Sequence, residues 1–164
     1  MLENLLLMEE GKSLEFKENT KNLNKIIQTI IAFANTAGGT IIIGIKDKTK
    51  KIVGIQSPLK EEEKVSNAVA DSIDPLFLPN IEIHNIRNKE LLVIKVPHAV
   101  GPFSFRKHGE KEGTYIRLGS TNRKADLDTI KSLRRLSENI CFDELPIIKA
   151  KKEDIDWDLM KKVF

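Results

Sequence analysis

One cysteine, Cys141, stands in the 164-residue chain, so no internal disulfide can form, and the sequence suits a reducing compartment. Long apolar runs are also missing. Leu5-Leu6-Leu7-Met8 is short and flanked by acids, without the basic leader of a signal peptide or the length of a membrane span. A soluble, cytoplasmic protein with no membrane partner is expected. His84, His98 and His108 have no ligand-like spacing to one another or to Cys141, which leaves a structural zinc site or a Ser-His-Asp triad without support. There is no internal repeat and no low-complexity tract. The double glycine Gly38-Gly39 is followed by a strand pattern and lacks the Gly-Lys-Ser/Thr of a P-loop, so nucleotide binding there is disfavoured.

What is present is a chain 40% hydrophobic, its apolar residues in periodic blocks, long enough for one domain with a sizeable core and short for two. The net charge of +3 implies little by itself. Its distribution implies more. Residues 1–20 hold five Glu against two Lys, whereas residues 106–135 hold nine Lys/Arg against four acids, a local balance of +5. A basic half beside an acidic edge suits a phosphate-binding surface; the plainer alternative is an ordinary mixed-charge surface.

Leu14 and Phe16 alternate against Ser13, Glu15 and Lys17, which predicts a short strand over 13–17. Leu23, Ile26, Ile27, Ile30, Ile31 and Ala34 keep helical spacing, with Asn24, Lys25, Gln28 and Thr29 off the stripe and the paired glycines as the stop. Thr40 to Ile45 is apolar on both faces, the pattern of a central strand covered on each side. Ile52 to Ile55 reads as its partner strand. Ser57-Pro58 before Glu61, Glu62 and Glu63 reads as a capped helix start. Ile81–Ile86 and Leu91–Val96 form a predicted hairpin, with further strands at Phe103–Arg106 and Thr114–Leu118 and a last helix from about Asp126 to Ser137. The fold class is therefore α+β: a single compact domain over 1–138, with a mixed or antiparallel sheet packed with about three helices. Residues 139–164 read as a linker and the start of a C-terminal region, since Trp157, Met160 and Phe164 have nothing obvious to bury them.

Four segments in order resemble the Schlafen AlbA-2 domain family, over roughly residues 9–137: Ser13-Leu14-Glu15-Phe16-Lys17-Glu18; Ala32-Phe33-Ala34-Asn35-Thr36-Ala37-Gly38-Gly39 with the Ile-rich strand, Gly44 and Asp47; Pro97 through Pro102-Phe103; and Gly113 through Ala125. The resemblance implies an α+β module that binds nucleic acid, DNA favoured over RNA. Similar bacterial and archaeal domains precede ATPase-like and winged-helix regions in predicted transcriptional regulators, and a segment like Phe142-Asp143-Glu144-Leu145-Pro146 follows the domain there.

The binding surface expected is Arg106, Lys107, Tyr115, Arg117, Arg123 and Lys124, a strand end and loop rich in donors for phosphate and sugar, with Tyr115 able to stack on a base. The plainer alternative pairs Arg117 with an acid. The glycines after Asn35 and Thr36 could let a phosphate approach unshielded backbone amides, or the segment could be only a helix-to-strand turn with a buried Asn. No cofactor is required for binding.

Some animal Schlafens are tRNA/rRNA endonucleases with two glutamates around the strand similar to Glu15-Phe16-Lys17 and an aspartate after the glycine-rich strand. Glu10, Glu15 and Asp47 are the matching positions. As catalytic residues and ligands they would hold magnesium or manganese for hydrolysis of tRNA or structured RNA. Gly11-Lys12 follows Glu10 where those enzymes usually have a serine first, Glu9 competes with Glu10 for the alignment, and their zinc-binding set has no counterpart. They carry two such lobes in one chain; a homodimer would supply the second here. The plainer alternative pairs Glu15 with a lysine and leaves Asp47 a turn residue. A third reading is a dimerisation scaffold for a C-terminal ATPase-like region.

Overall fold

A computed structural model describes residues 2–47 and 49–140, with Lys151, Glu153 and Trp157 beyond them. The elements are α1 (Leu2–Leu7), β1 (Leu14–Lys17), α2 (Leu23–Asn35), β2 (Gly39–Ile43), α3 (Pro58–Ser72), β3 (Ile73–Asp74), β4 (Asn80–Ile86), β5 (Lys89–Val96), β6 (Ser104–Phe105), a 3₁₀ turn at Arg106–His108, α4 (Gly109–Gly113), β7 (Tyr115–Leu118), β8 (Thr121–Lys124) and α5 (Leu127–Ser137). Cys141, Phe142–Pro146, Met160 and Phe164 lie outside the described residues, and most of the predicted C-terminal linker with them.

A four-stranded sheet in the order β1-β2-β5-β4 organises the rest. β1 runs parallel to β2, which requires a crossover, and α2 supplies it; the other pairings are antiparallel. Both faces are covered, as the run of isoleucines predicts. Ile41, Ile43, Leu92, Ile94 and Val96 face α2 and α3, meeting Ile26, Ile27, Ile30, Ile31, Val65 and Val69. Ile42, Leu91 and Val93 point the other way, with Leu14 and Phe16, and pack against Leu5, Leu6 and Ile52. Each fully buried Ile or Phe contributes about 1.5–3 kcal/mol by leaving water, so this two-sided strand is the energetic centre of the fold.

The α+β expectation holds, and several local readings are corrected. Ile52–Ile55 forms only one bridge, Ile52 to Ile45, instead of a strand. Gly44 and Gly54 have φ of +107° and +76°, and the Gly44 carbonyl accepts from the amides of both Val53 and Gly54, which ends the ladder. Ser57 does not cap α3 through its side chain: it sits at φ +53°, whereas a capping side chain needs an extended backbone. The hairpin turn is Arg87-Asn88, both at positive φ, and β5 already starts at Lys89. The donor-rich stretch after Leu118 is no loop; it turns at Gly119 and returns as β8, paired with β7. Among the described residues there are five α-helices where about three were expected, the additional ones short or outside the sheet.

Candidate functional site

β1 is an edge strand, and alternation places Glu15 on the face that α2 covers. A carboxylate there needs a partner, because an unpaired buried charge is costly. Arg117, at the middle of β7, provides it: its Nη2 donates to Glu15 Oε2 at 2.6 Å, with the arginine side chain 1% and the glutamate side chain 10% exposed. The guanidinium also donates to the Gly11 carbonyl from Nε (3.1 Å) and Nη2 (2.9 Å), and to Asn122 Oδ1 from Nη1 (2.8 Å). It lies 5.1 Å from the Phe33 ring centroid. Lys17 Nζ donates to the second Glu15 oxygen. Asn122 in turn donates to Thr29 on α2, closing a chain of contacts from β1 through β7 and β8 to the helix.

By gripping Gly11, Arg117 positions the segment that presents Glu10. Glu10 Oε1 accepts the Phe16 amide at 2.6 Å, and its carboxyl also hydrogen-bonds the Asp47 side chain across from the turn after β2. Desolvation, then the Asp47 hydrogen bond and the negative charges of Glu15 and Asp47, push the Glu10 carboxyl up to about 7 against the Phe16 amide, which works to lower it. Glu10 and Asp47 meet; Glu15 is turned to two cations. Among the described residues no three His, Cys, Asp or Glu side chains form a set that could hold a metal ion. Of the three carboxylates expected to hold magnesium or manganese, Glu10 and Asp47 adjoin, while Glu15 is engaged by Arg117 and Lys17.

The motif at the end of α2 is a staple. Asn35, 4% exposed, donates from Nδ2 to the carbonyls of Phe103 (2.8 Å) and Tyr115 (3.0 Å) and accepts the Phe103 amide at 2.8 Å. Thr36 Oγ1 donates to Ala32 O and accepts the Arg117 amide at 2.9 Å, so helix end and β7 are tied twice. Gly38 turns the chain at φ +72°, where a Cβ would come 2.7 Å from the Val96 carbonyl oxygen and 2.8 Å from the His98 nitrogen. Of the alternatives open in the sequence, the buried-Asn turn is the one formed.

The predicted basic surface is dispersed. Arg117 is inside, which corrects its reading as a phosphate contact: its donors are used on Glu15, Gly11 and Asn122. Lys124 pairs with Glu112, Arg134 with Glu110 and, at 3.7 Å, Lys131 with Asp128, so three of the nine cations are engaged by acids of the same stretch. Arg106 donates to the Ile73 carbonyl at 3.0 Å. Arg123 is exposed on β8, without a side-chain partner among the described residues. Lys107 and Tyr115 do come together. Both rest against Phe105, the ammonium 6.0 Å and the Tyr115 ring 6.1 Å from its centroid, the rings nearly perpendicular.

Sequence reasoning missed a row of depressions along this side of the protein. One is lined by Asn24, Lys25, Gln28, Lys107, His108 and Tyr115 over Phe105. The next shares Lys25 and continues past Asn22, Lys21, Lys17 and Glu18 to Asp47; a third shares Glu18 and Asp47 and adds Lys46 and Thr49. Lys21, Lys25 and Lys46 have no side-chain partner among the described residues. The available signal was that Asn24, Lys25 and Gln28 fall off the apolar stripe of α2.

Residues 10–126 match the family described as Schlafen, AlbA_2. An uncharacterized ATP-binding protein of Ureaplasma parvum serovar 3 is 38% identical over 165 aligned positions, covering 94% of this chain and 46% of that protein, so the chain spans less than half the length of this relative. A crystal structure of a Corynebacterium diphtheriae protein shares the fold at TM-score 0.61, with 21% identity over 82% of this chain and 31% of the other. The N-terminal domain of a RecG-related protein of Nitrosomonas europaea superposes at TM-score 0.58, with 25% identity over 77% of this chain and 91% of that domain. Among the described residues no helix is long and apolar enough to cross a membrane. With the match running from Glu10, at the carboxylate pair, to Asp126, the cap of α5, the chain belongs to the Schlafen AlbA_2 family.

Proposed function

We propose that the chain is a nucleic-acid-binding module, DNA favoured over RNA, of a larger protein in the manner of a transcriptional regulator. Family membership supports this, as does the likeness to the N-terminal domain of a protein described as related to the ATP-dependent DNA helicase RecG. The observation that carries it is the row of depressions in which Lys21, Lys25 and Lys46 stand without carboxylate partners. Lysines outside any ion pair, spaced along one side past Glu18 and Asp47, suit successive phosphates, a contact that positions a nucleic acid without reading its sequence. The test is the affinity for labelled duplex DNA and tRNA at two salt concentrations. Salt-sensitive binding supports the module; no binding to either sinks it.

A metal-dependent endoribonuclease is the second reading, favoured by the Glu10–Asp47 contact beside the same depressions. A divalent cation would gain Glu15 as a third ligand only by drawing it away from Arg117 and Lys17, so no hydrolytic step is derived. Manganese-dependent cleavage of tRNA, lost in Asp47→Ala, would establish it over the binding module.

A further inference from the structure

We propose that the depression between α2 and the β6–β7 segment is a pocket for a single unpaired nucleobase, with Lys25 and Lys107 at its rim holding the flanking phosphates. The inference rests on the nucleic-acid reading and gives it a substrate class: single-stranded or locally unpaired polynucleotide.

Size is the first argument. The depression encloses about 180 Å³, below the roughly 300–1,000 Å³ typical of pockets for drug-sized ligands. One planar ring system fits it better than a whole nucleotide.

Its walls are the second. Tyr115 offers a half-buried ring held edge-on by Phe105, and His108 contacts the same Phe105 ring at 5.8 Å between centroids. Phe105 itself is only 6% exposed, so the aromatic wall is set by the core and needs little ordering on binding. Opposite stand Asn24 and Gln28, one turn apart on α2. Neither side-chain amide has a protein partner among the described residues, which leaves donors and acceptors for the edge of a base. Aromatic stacking is sequence-tolerant, while an amide reads a base edge; the combination is that of single-strand recognition.

Continuity is the third. Lys25 lines this depression and the adjoining one, where Lys21 and Lys17 stand beside Glu18 and Asp47, so a strand anchored here by one base has lysines for its next phosphates. A continuous duplex offers its bases only as edges in the grooves and cannot place one in such a pocket without unpairing it.

The experiment compares the wild-type chain with the Asn24→Ala/Gln28→Ala double variant, binding a fluorescent 12-mer single strand and a fully paired duplex of the same length. Both residues lie on the outer side of α2, away from the core, so the variant should fold. Expected are a loss of about tenfold for the single strand, in the range known for base contacts, an unchanged duplex affinity and an unchanged salt slope. Tyr115 is the only tyrosine, so its ring-proton signals identify themselves, and they should shift when the single strand is added. Single-strand affinity within about twofold of wild type, or equal losses on both probes, overturns the pocket while the nucleic-acid reading stands. A wild type that binds neither probe overturns both.

Discussion

Arg117 Nη2 stands 2.6 Å from Glu15 Oε2, joining residues 102 positions apart across the covered face of an edge strand. Through the same guanidinium, Gly11 is held and Glu10 presented to Asp47. The most conspicuous cation in the β7–β8 motif is thus a positioning group, and the charges proposed to face nucleic acid lie elsewhere.

Replacing Arg117 by Ala should therefore act on stability. It leaves Glu15 with Lys17 alone and frees the Gly11 carbonyl, a loss on the order of 3 kcal/mol for breaking a buried pair. Arg117→Lys should recover little, because an ammonium cannot span Glu15, Gly11 and Asn122 at once. Urea denaturation measures this. A destabilisation below about 0.5 kcal/mol, as at a free surface site, would return Arg117 to the interface.

Salt dependence separates the two candidate surfaces. Lys21→Ala, Lys25→Ala and Lys46→Ala should each lower the slope of log affinity against log salt by up to about 0.9. Lys124→Ala, whose ammonium is engaged by Glu112, should change it less. The reverse ranking would place the nucleic acid on β8 after all.

Asn35 makes a third case. Asn35→Ala strands the Phe103 amide and two carbonyls, which costs about 2 kcal/mol or more, given the penalty for each buried unsatisfied group. Gly101→Ala attacks the same staple from outside, since its Cβ would lie 2.6 Å from Asn35 Oδ1 and 2.7 Å from the Phe103 nitrogen. Because both changes break one network, the double variant should lose less than the sum of the singles. Thermal or urea melts of the cycle decide it, and strict additivity would mean that the two sites act independently.

The Glu10 carboxyl predicts a pH dependence whose sign follows from its raised value. Folded Glu10 titrates near 7 and the unfolded side chain near 4.5. Between these values the folded state binds the extra proton. Its contribution to stability is greatest below pH 4.5, falls as pH rises toward 7, and is level above that. Glu10→Gln should flatten this part of the profile. Denaturation midpoints at about pH 5 and about pH 8 suffice, and a glutamine variant with the wild-type difference would remove Glu10 as its source.

Much of the fold was legible in the chain because its signals are local. Ile41, Ile42 and Ile43 announce a strand buried on both faces, and the 3.6-residue stripe from Leu23 to Ala34 announces the helix over it. β8 was not legible, since Thr121-Asn122-Arg123-Lys124 has no apolar alternation: it pairs through its backbone, outside the core. The candidate site was legible only as a set of residue types. Composition marked Glu10, Glu15 and Asp47 as acids and Arg117 as a cation, but which acid meets which partner depends on chain segments tens of residues apart being packed together. The sequence by itself determined the main strands, the α2 helix and the sheet's two-sided core, through periodicity and burial. The tertiary structure alone decided that Arg117 is sequestered, that Asp47 lies against Glu10, and that Lys21, Lys25 and Lys46 face outward, because a charge takes its role from the charges and the solvent around it.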